Sequence, residues 1–139
     1  MKIAIIVIRI LLGLLFCVGG LSHIVNPKMP AMPGDAGIYI GLLIATRYMT
    51  IVGVLELIGG LLLLVGRFVP LGLTILAPII VNIVLFGVLI AHSGIAVGLV
   101  CVALEAFLIW AYRLSFRGLF DAAPEVSQLL RRPGRERTY

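Results

Sequence analysis

The chain has 139 residues, of which 62% are apolar and only 12% charged, and its mean hydropathy is +1.22. Soluble domains average roughly half apolar and a quarter charged residues, so water is not the solvent for most of this sequence. The same figures exclude a disordered protein, a nucleic-acid module and a disulfide-stapled secreted domain. The net charge of +5 belongs mostly to a tail, because four of the eleven basic residues, Arg131, Arg132, Arg135 and Arg137, occupy the last nine positions.

A helix crosses about 30 Å of hydrocarbon with about 20 predominantly apolar residues. Four segments meet that requirement, at about 3–25, 48–65, 71–90 and 95–114. The first is read as a retained helix and not as a secretory signal, because its run is too long, holds Arg9 and ends without an obvious small-residue cleavage site. After it, Pro27, Pro30 and Pro33 are spaced three apart, which denies helix and favours an extended strip. Gly34 and Asp35 then cap a short apolar helix from about 36 to 46. Continued to Val65 that helix would be about 45 Å long, well beyond the hydrocarbon thickness, so a break is expected near Arg47 and Tyr48. The 26–47 segment is therefore expected to lie in the interface or to dip into it as a lid. The breakers at 66–70 and 91–94 leave room only for tight turns, which makes neighbouring spans antiparallel.

The expected fold is all-α: an integral membrane four-helix bundle of antiparallel up-down topology, with a short interfacial or re-entrant helix after the first span. Residues 1–120 form the transmembrane domain and 121–139 a basic tail. The stretch 115–130 mixes apolar and charged residues as an amphipathic surface segment does, and the tail arginines suit anionic lipid headgroups. A cytoplasmic N-terminus puts Lys2, Arg67, Arg113, Arg117 and the tail inside and leaves Lys28 and Arg47 outside, so both termini are expected to be cytoplasmic.

Ionisable groups at membrane depth are costly and mark functional sites by default. Arg9, Glu56 and Glu105 are the three here, and Asn82 on the third span lies at nearly the depth of the glutamates. Each of the four spans thus contributes one polar group to a layer expected to bind a ligand or a proton. Helical spacing aligns Arg9 with Gly13, Phe16, Gly20 and His23, Glu56 with Gly53 and Gly60, and Glu105 with Gly98, Cys101 and Leu108, which turns the layer toward the bundle interior. In an up-down bundle Glu56 and Glu105 sit on diagonal helices and are expected to converge. The competing reading is a hydrogen-bonded cluster that only fixes helix register.

Four further residues, His23, His92, Tyr48 and Arg47, form a secondary set near the lid. The histidines suit haem or quinone contacts, or interfacial hydrogen bonding; Tyr48, with Trp110 and Tyr112, suits an aromatic belt. Cys17 and Cys101 lie at similar depth, as a redox pair or as small packing residues. There is no zinc signature, phosphate loop or nucleophile elbow, and no metal site is expected.

Several strings taken together resemble the DoxX family of small bacterial four-helix membrane proteins. They are Arg9-Ile10-Leu11-Leu12-Gly13-Leu14, Pro30-Ala31-Met32-Pro33, Glu56 through Leu64, Gly66-Arg67-Phe68-Val69-Pro70-Leu71, Ala77 through Ile83 and Trp110-Ala111-Tyr112-Arg113. The resemblance spans about residues 3–120 and puts Arg9, Glu56, Asn82 and Glu105 at motif positions. One departure stands out: relatives often carry a histidine where this chain has Gly87, after Leu85 and Phe86. The resemblance implies a multi-pass protein of the bacterial cytoplasmic (inner) membrane, linked to quinone or redox chemistry, with quinone as the cofactor and with redox proteins or further copies of the chain as partners. Three functions stay open: a quinone- or redox-linked subunit, a non-catalytic scaffold or assembly factor, and a proton or small-molecule conduit. Whether the chain is an enzyme is left undecided by the residues.

Overall fold

The computed structural model describes residues 1–26 and 31–116. The prolines at 27 and 30, the segment beyond residue 116 and the basic tail fall outside the described residues. All regular structure within them is helical: α1 (Lys2–Val25), α2 (Gly34–Ala45), α3 (Tyr48–Val65), α4 (Val69–Phe86), which runs directly into a π-helical turn (Gly87–Ala91), and α5 (Ile95–Ala111).

Three of these stretches are long and apolar enough to cross a membrane, namely α1, α3 and α4 with its π turn. The last helix, α5, has 17 residues and ends at Ala111. It stops there because the chain passes into turns in which Ser115 N–H donates to the Tyr112 carbonyl and Phe116 N–H to that of Arg113. Its length of about 25 Å is close to the lower limit for a span. The break between α2 and α3 falls on Arg47, whose left-handed φ of 58° turns the chain without glycine. At the other end of α3, Gly66 takes the left-handed conformation that closes the helix, and its N–H donates to the Leu62 carbonyl.

The four long helices form a ring in which α1 packs on α3, α3 on α4, α4 on α5 and α5 again on α1, leaving α1/α4 and α3/α5 as diagonals. The α1–α3 seam is the closest approach. Gly13 lies against Gly60, and Gly20 against Gly53, so nearly that a Cβ at Gly20 would stand 2.5 Å from the Gly53 carbonyl oxygen, and one at Gly60 2.8 Å from that of Gly13. The crossing pairs also fix the antiparallel sense: residue numbers rise on one helix as they fall on the other. Gly59 against Gly72 and Leu76, and Gly98 against Val84, make the α3–α4 and α4–α5 contacts. Small residues at helix crossings are what membrane association requires, since lipid removes the hydrophobic drive between helices and leaves packing to hold them.

The centre of the ring is filled by Leu12, Leu63, Leu73, Leu76, Ile80 and Leu108, all almost fully buried. The outside is just as apolar: Leu11, Leu14, Val18, Ile51, Ile58, Leu61, Val81 and Val100 are exposed. A belt of that size is solvated only by hydrocarbon, and the protein is a helical membrane bundle.

The short helix α2 caps one end of the bundle, packed on α3 and on the π-helical turn. That end is called the lid end below. Beneath it α4 is irregular. Pro78 has no N–H to offer the Thr74 carbonyl, and the π turn begins two turns later.

Candidate functional site

A cavity of about 290 Å³ lies under α2 at the lid end. Its floor is Glu56 and Ile79, one wall is α3 with Met49 and Val52, the opposite wall is the last turns of α4 with Asn82, Ile83 and Phe86, and its roof is Tyr39, Ile40 and Leu43 of α2. His23, near the end of α1, Met32, just before α2, and Tyr48, at the start of α3, complete it. The walls are apolar, so the few polar groups they hold decide what is recognised.

The central polar feature is a pair. The Glu56 side chain, in the middle of α3 and only 3% exposed, places Oε2 2.9 Å from Nδ1 of His23. The glycine seam makes this contact possible: with Gly53 and Gly20 in backbone contact, His23 is drawn over α3 until a Cβ at Gly53 would stand 2.8 Å from its own Cβ. With Glu56 ionised, the carboxylate only accepts, so the imidazole donates from Nδ1; Nε2 then accepts when the ring is neutral and donates when it is protonated. A buried carboxylate held by a titratable ring can gain or give a proton without moving either helix.

The sequence-derived residues separate into groups. Glu56, Asn82, His23 and Tyr48 share the cavity. The Asn82 residue is also exposed on the outer side of α4, which sets its amide at the edge of the cavity. Arg9 turns the other way. Its guanidinium packs against the backbone of Gly66 in the α3–α4 turn, so tightly that a Cβ there would overlap it. Nearby carbonyls at the C-terminal end of α3 carry the negative pole of that helix and favour this direction. Arg9 Nε is buried with no hydrogen-bond partner among the described residues.

Glu105 belongs to α5 and is 5% exposed; its Oε1 likewise has no partner among the described residues. Glu56 and Glu105 stand on diagonal helices, and the hydrogen bond of Glu56 goes to His23. Arg47 and His92 occupy left-handed turn positions and are exposed. Both thiols are free; Cys17 Sγ lies 4.0 Å from the Leu57 carbonyl oxygen, and Cys101 is buried on the Glu105 face of α5.

A buried carboxylate without a partner loses hydration and gains nothing in return. Glu105→Met is therefore expected to raise the melting temperature in detergent, in line with a gain of about 1 kcal/mol. A variant that melts lower than the parent would show that Glu105 is held by a bond its unpaired oxygen conceals.

Tyr39 and Phe86, to which the sequence reading gives no role, close the cavity with a stacked pair whose centroids are 5.5 Å apart at an interplanar angle of 27°. Helical spacing within α2 carried a signal for the first of them: Tyr39 falls beside the buried positions Ala36 and Ile40. For Phe86 the signal was its place one turn after Asn82, on the stripe that Ile79, Asn82 and Ile83 share.

The family model described as DoxX matches residues 4–93. The match takes in Arg9, Glu56 and Asn82 and the whole lid, and ends before α5 and Glu105. No curated protein and no solved structure matches the chain.

Proposed function

The chain belongs to the DoxX family, and from that premise we propose that it is a quinone-binding, redox-linked membrane subunit whose site is the cavity beneath α2. The observation that carries the reading is the Glu56–His23 pair, buried at the floor of an apolar cavity roofed by a stacked aromatic pair. A flat ring with polar oxygens at its edge is the ligand chemistry such a space suits. Its volume of about 290 Å³ lies near the small end of ligand pockets, enough for a head group.

In this reading Tyr39 and Phe86 cover the ring face, the Asn82 amide offers a donor to a ring oxygen, and the Glu56–His23 pair holds a proton near another. A bound quinone supplies two-electron redox chemistry, with electrons from a redox protein docked on the membrane surface. The chain itself binds, orients and excludes water. The lid end then faces the non-cytoplasmic side, with both termini in the cytoplasm of a bacterium.

The filled centre of the bundle favours this reading over a conduit. Leu12, Leu63, Leu73 and Leu76 are fully buried apolar side chains in the middle of the ring, and a proton path needs polar groups or water along its whole length.

Native mass spectrometry of protein extracted gently from its own membrane tests the proposal. The expected result is a population carrying an adduct of quinone mass, lost from a Glu56→Leu variant. An adduct-free spectrum, under conditions in which a control quinone protein keeps its ligand, would overturn it.

A further inference from the structure

The lid cavity has a neighbour. On the outer side of α2 lies an open groove of about 350 Å³, lined by Asp35, Ile38, Leu42 and Ile90 together with Tyr39. Tyr39 therefore belongs to both spaces. It is half-buried, it borders both the cavity and the groove, and its ring stacks on Phe86.

The backbone does not separate the two spaces at this point. α2 rests on α3 and on the π-helical turn, but it makes no close backbone approach to the regular part of α4. Tyr39 is common to the linings of the cavity and the groove, and its stack on Phe86 stands where α2 and α4 do not close on each other, so the partition at that place is made by side chains. A side-chain rotation moves such a partition on a far shorter timescale than a helix displacement.

The groove is apolar where it meets the partition. Ile38 is 73% exposed and Leu42 61%, one helical turn apart on the face of α2 that looks away from the bundle, and only Asp35, near the start of α2, brings charge. Surface of this kind on a membrane protein is wetted by hydrocarbon chains.

We infer that the ligand of the lid cavity carries an aliphatic tail, that this tail leaves the cavity past the Tyr39–Phe86 stack, and that it lies in the groove formed by Ile38, Leu42 and Ile90. The inference rests on the quinone reading above and deepens it: the head group is recognised inside and the tail outside, and the ligand enters from the bilayer. The stack is the gate, and Tyr39 is a positioning residue that holds the head group in by closing behind it.

Two probes and one variant test this. The probes are a tailless dimethoxybenzoquinone and the same ring with a decyl chain, titrated against the full chain in nanodiscs, with concentrations corrected for partition into the lipid. The variant is Leu42→Trp, which fills the groove from an exposed position and does not line the cavity. Wild-type protein is expected to bind the decyl probe more tightly than the tailless one. Leu42→Trp is expected to weaken the decyl probe by about tenfold, since each buried methylene contributes and a few suffice for one decade, and to leave the tailless probe within about twofold. Equal effects on the two probes, or no effect on the decyl probe, would overturn the tail groove while leaving the head-group site standing. Failure of wild-type protein to bind either probe would overturn the quinone reading itself and the groove with it.

Discussion

Gly53→Leu is expected to prevent the bundle from assembling. A side chain at residue 53 would begin 2.8 Å from the Gly20 carbonyl oxygen and 2.8 Å from the His23 Cβ. Backbone on one side and a hydrogen-bonded ring on the other leave no flexible atom to give way. Overpacking in a core that cannot move costs about 3 kcal/mol or more, and here it also parts the helices whose contact positions His23 over Glu56. The expected result is a steep fall in monodisperse yield and, in whatever protein remains, a melting point lower by roughly 10 °C. Gly41→Leu is the control: a Cβ at Gly41 meets nothing within 4 Å, so this variant of equal bulk on the lid is expected to fold as the parent does. A Gly53→Leu protein that melts with the parent would mean that α1 and α3 do not meet at this seam.

That seam was legible in the sequence, and the reasons are specific. Gly13 and Gly20 on α1, and Gly53 and Gly60 on α3, stand seven residues apart, so each pair recurs on one side of its helix, and their burial follows from that spacing. The hydrophobic runs likewise fixed where the helices lie, because bilayer thickness leaves little latitude in length. Depth was a poorer guide to contact. Arg9, Glu56, Asn82 and Glu105 lie within a few turns of one another along the bundle axis, which suggests one layer, yet a long side chain can turn either way from its Cα. Arg9 finds the carbonyl end of α3 beside Gly66 and not the glutamates. Glu56 finds His23, which helical spacing puts on the Arg9 face and for which the sequence leaves a ligand contact and an interfacial hydrogen bond both open. Gly87 is buried at the start of the π turn. Phe86 continues the helical stripe of Ile79, Asn82 and Ile83 that lines the cavity, but its partner Tyr39 lies on α2, and how α2 docks on the bundle is a tertiary matter that no periodic reading of either helix supplies.

Glu56 and His23 are expected to separate folding from binding when they are changed singly and together. Glu56→Leu leaves a half-buried imidazole without its partner, and His23→Leu leaves a buried carboxylate without its own. Each single change is expected to destabilise by about 1–3 kcal/mol, the cost of stranding a polar group. Removing both partners removes the stranded group as well, so the double variant is expected to melt close to the parent. Binding should follow a different pattern. If the pair holds a ring ligand, affinity for the tailless benzoquinone falls by about 100-fold in Glu56→Leu, the equivalent of one charge-assisted hydrogen bond, and the double variant does not recover it. Glu56→Gln keeps the size of the side chain and one acceptor, and is expected to lose only about tenfold. Stability restored without affinity would identify the pair as a binding element, because a contact that merely sets helix register has nothing left to lose once the bundle is whole. Affinity unchanged in a folded Glu56→Gln and in the double variant would leave Glu56 and His23 as a structural clasp between α1 and α3, and the cavity above them without a polar floor to recognise anything.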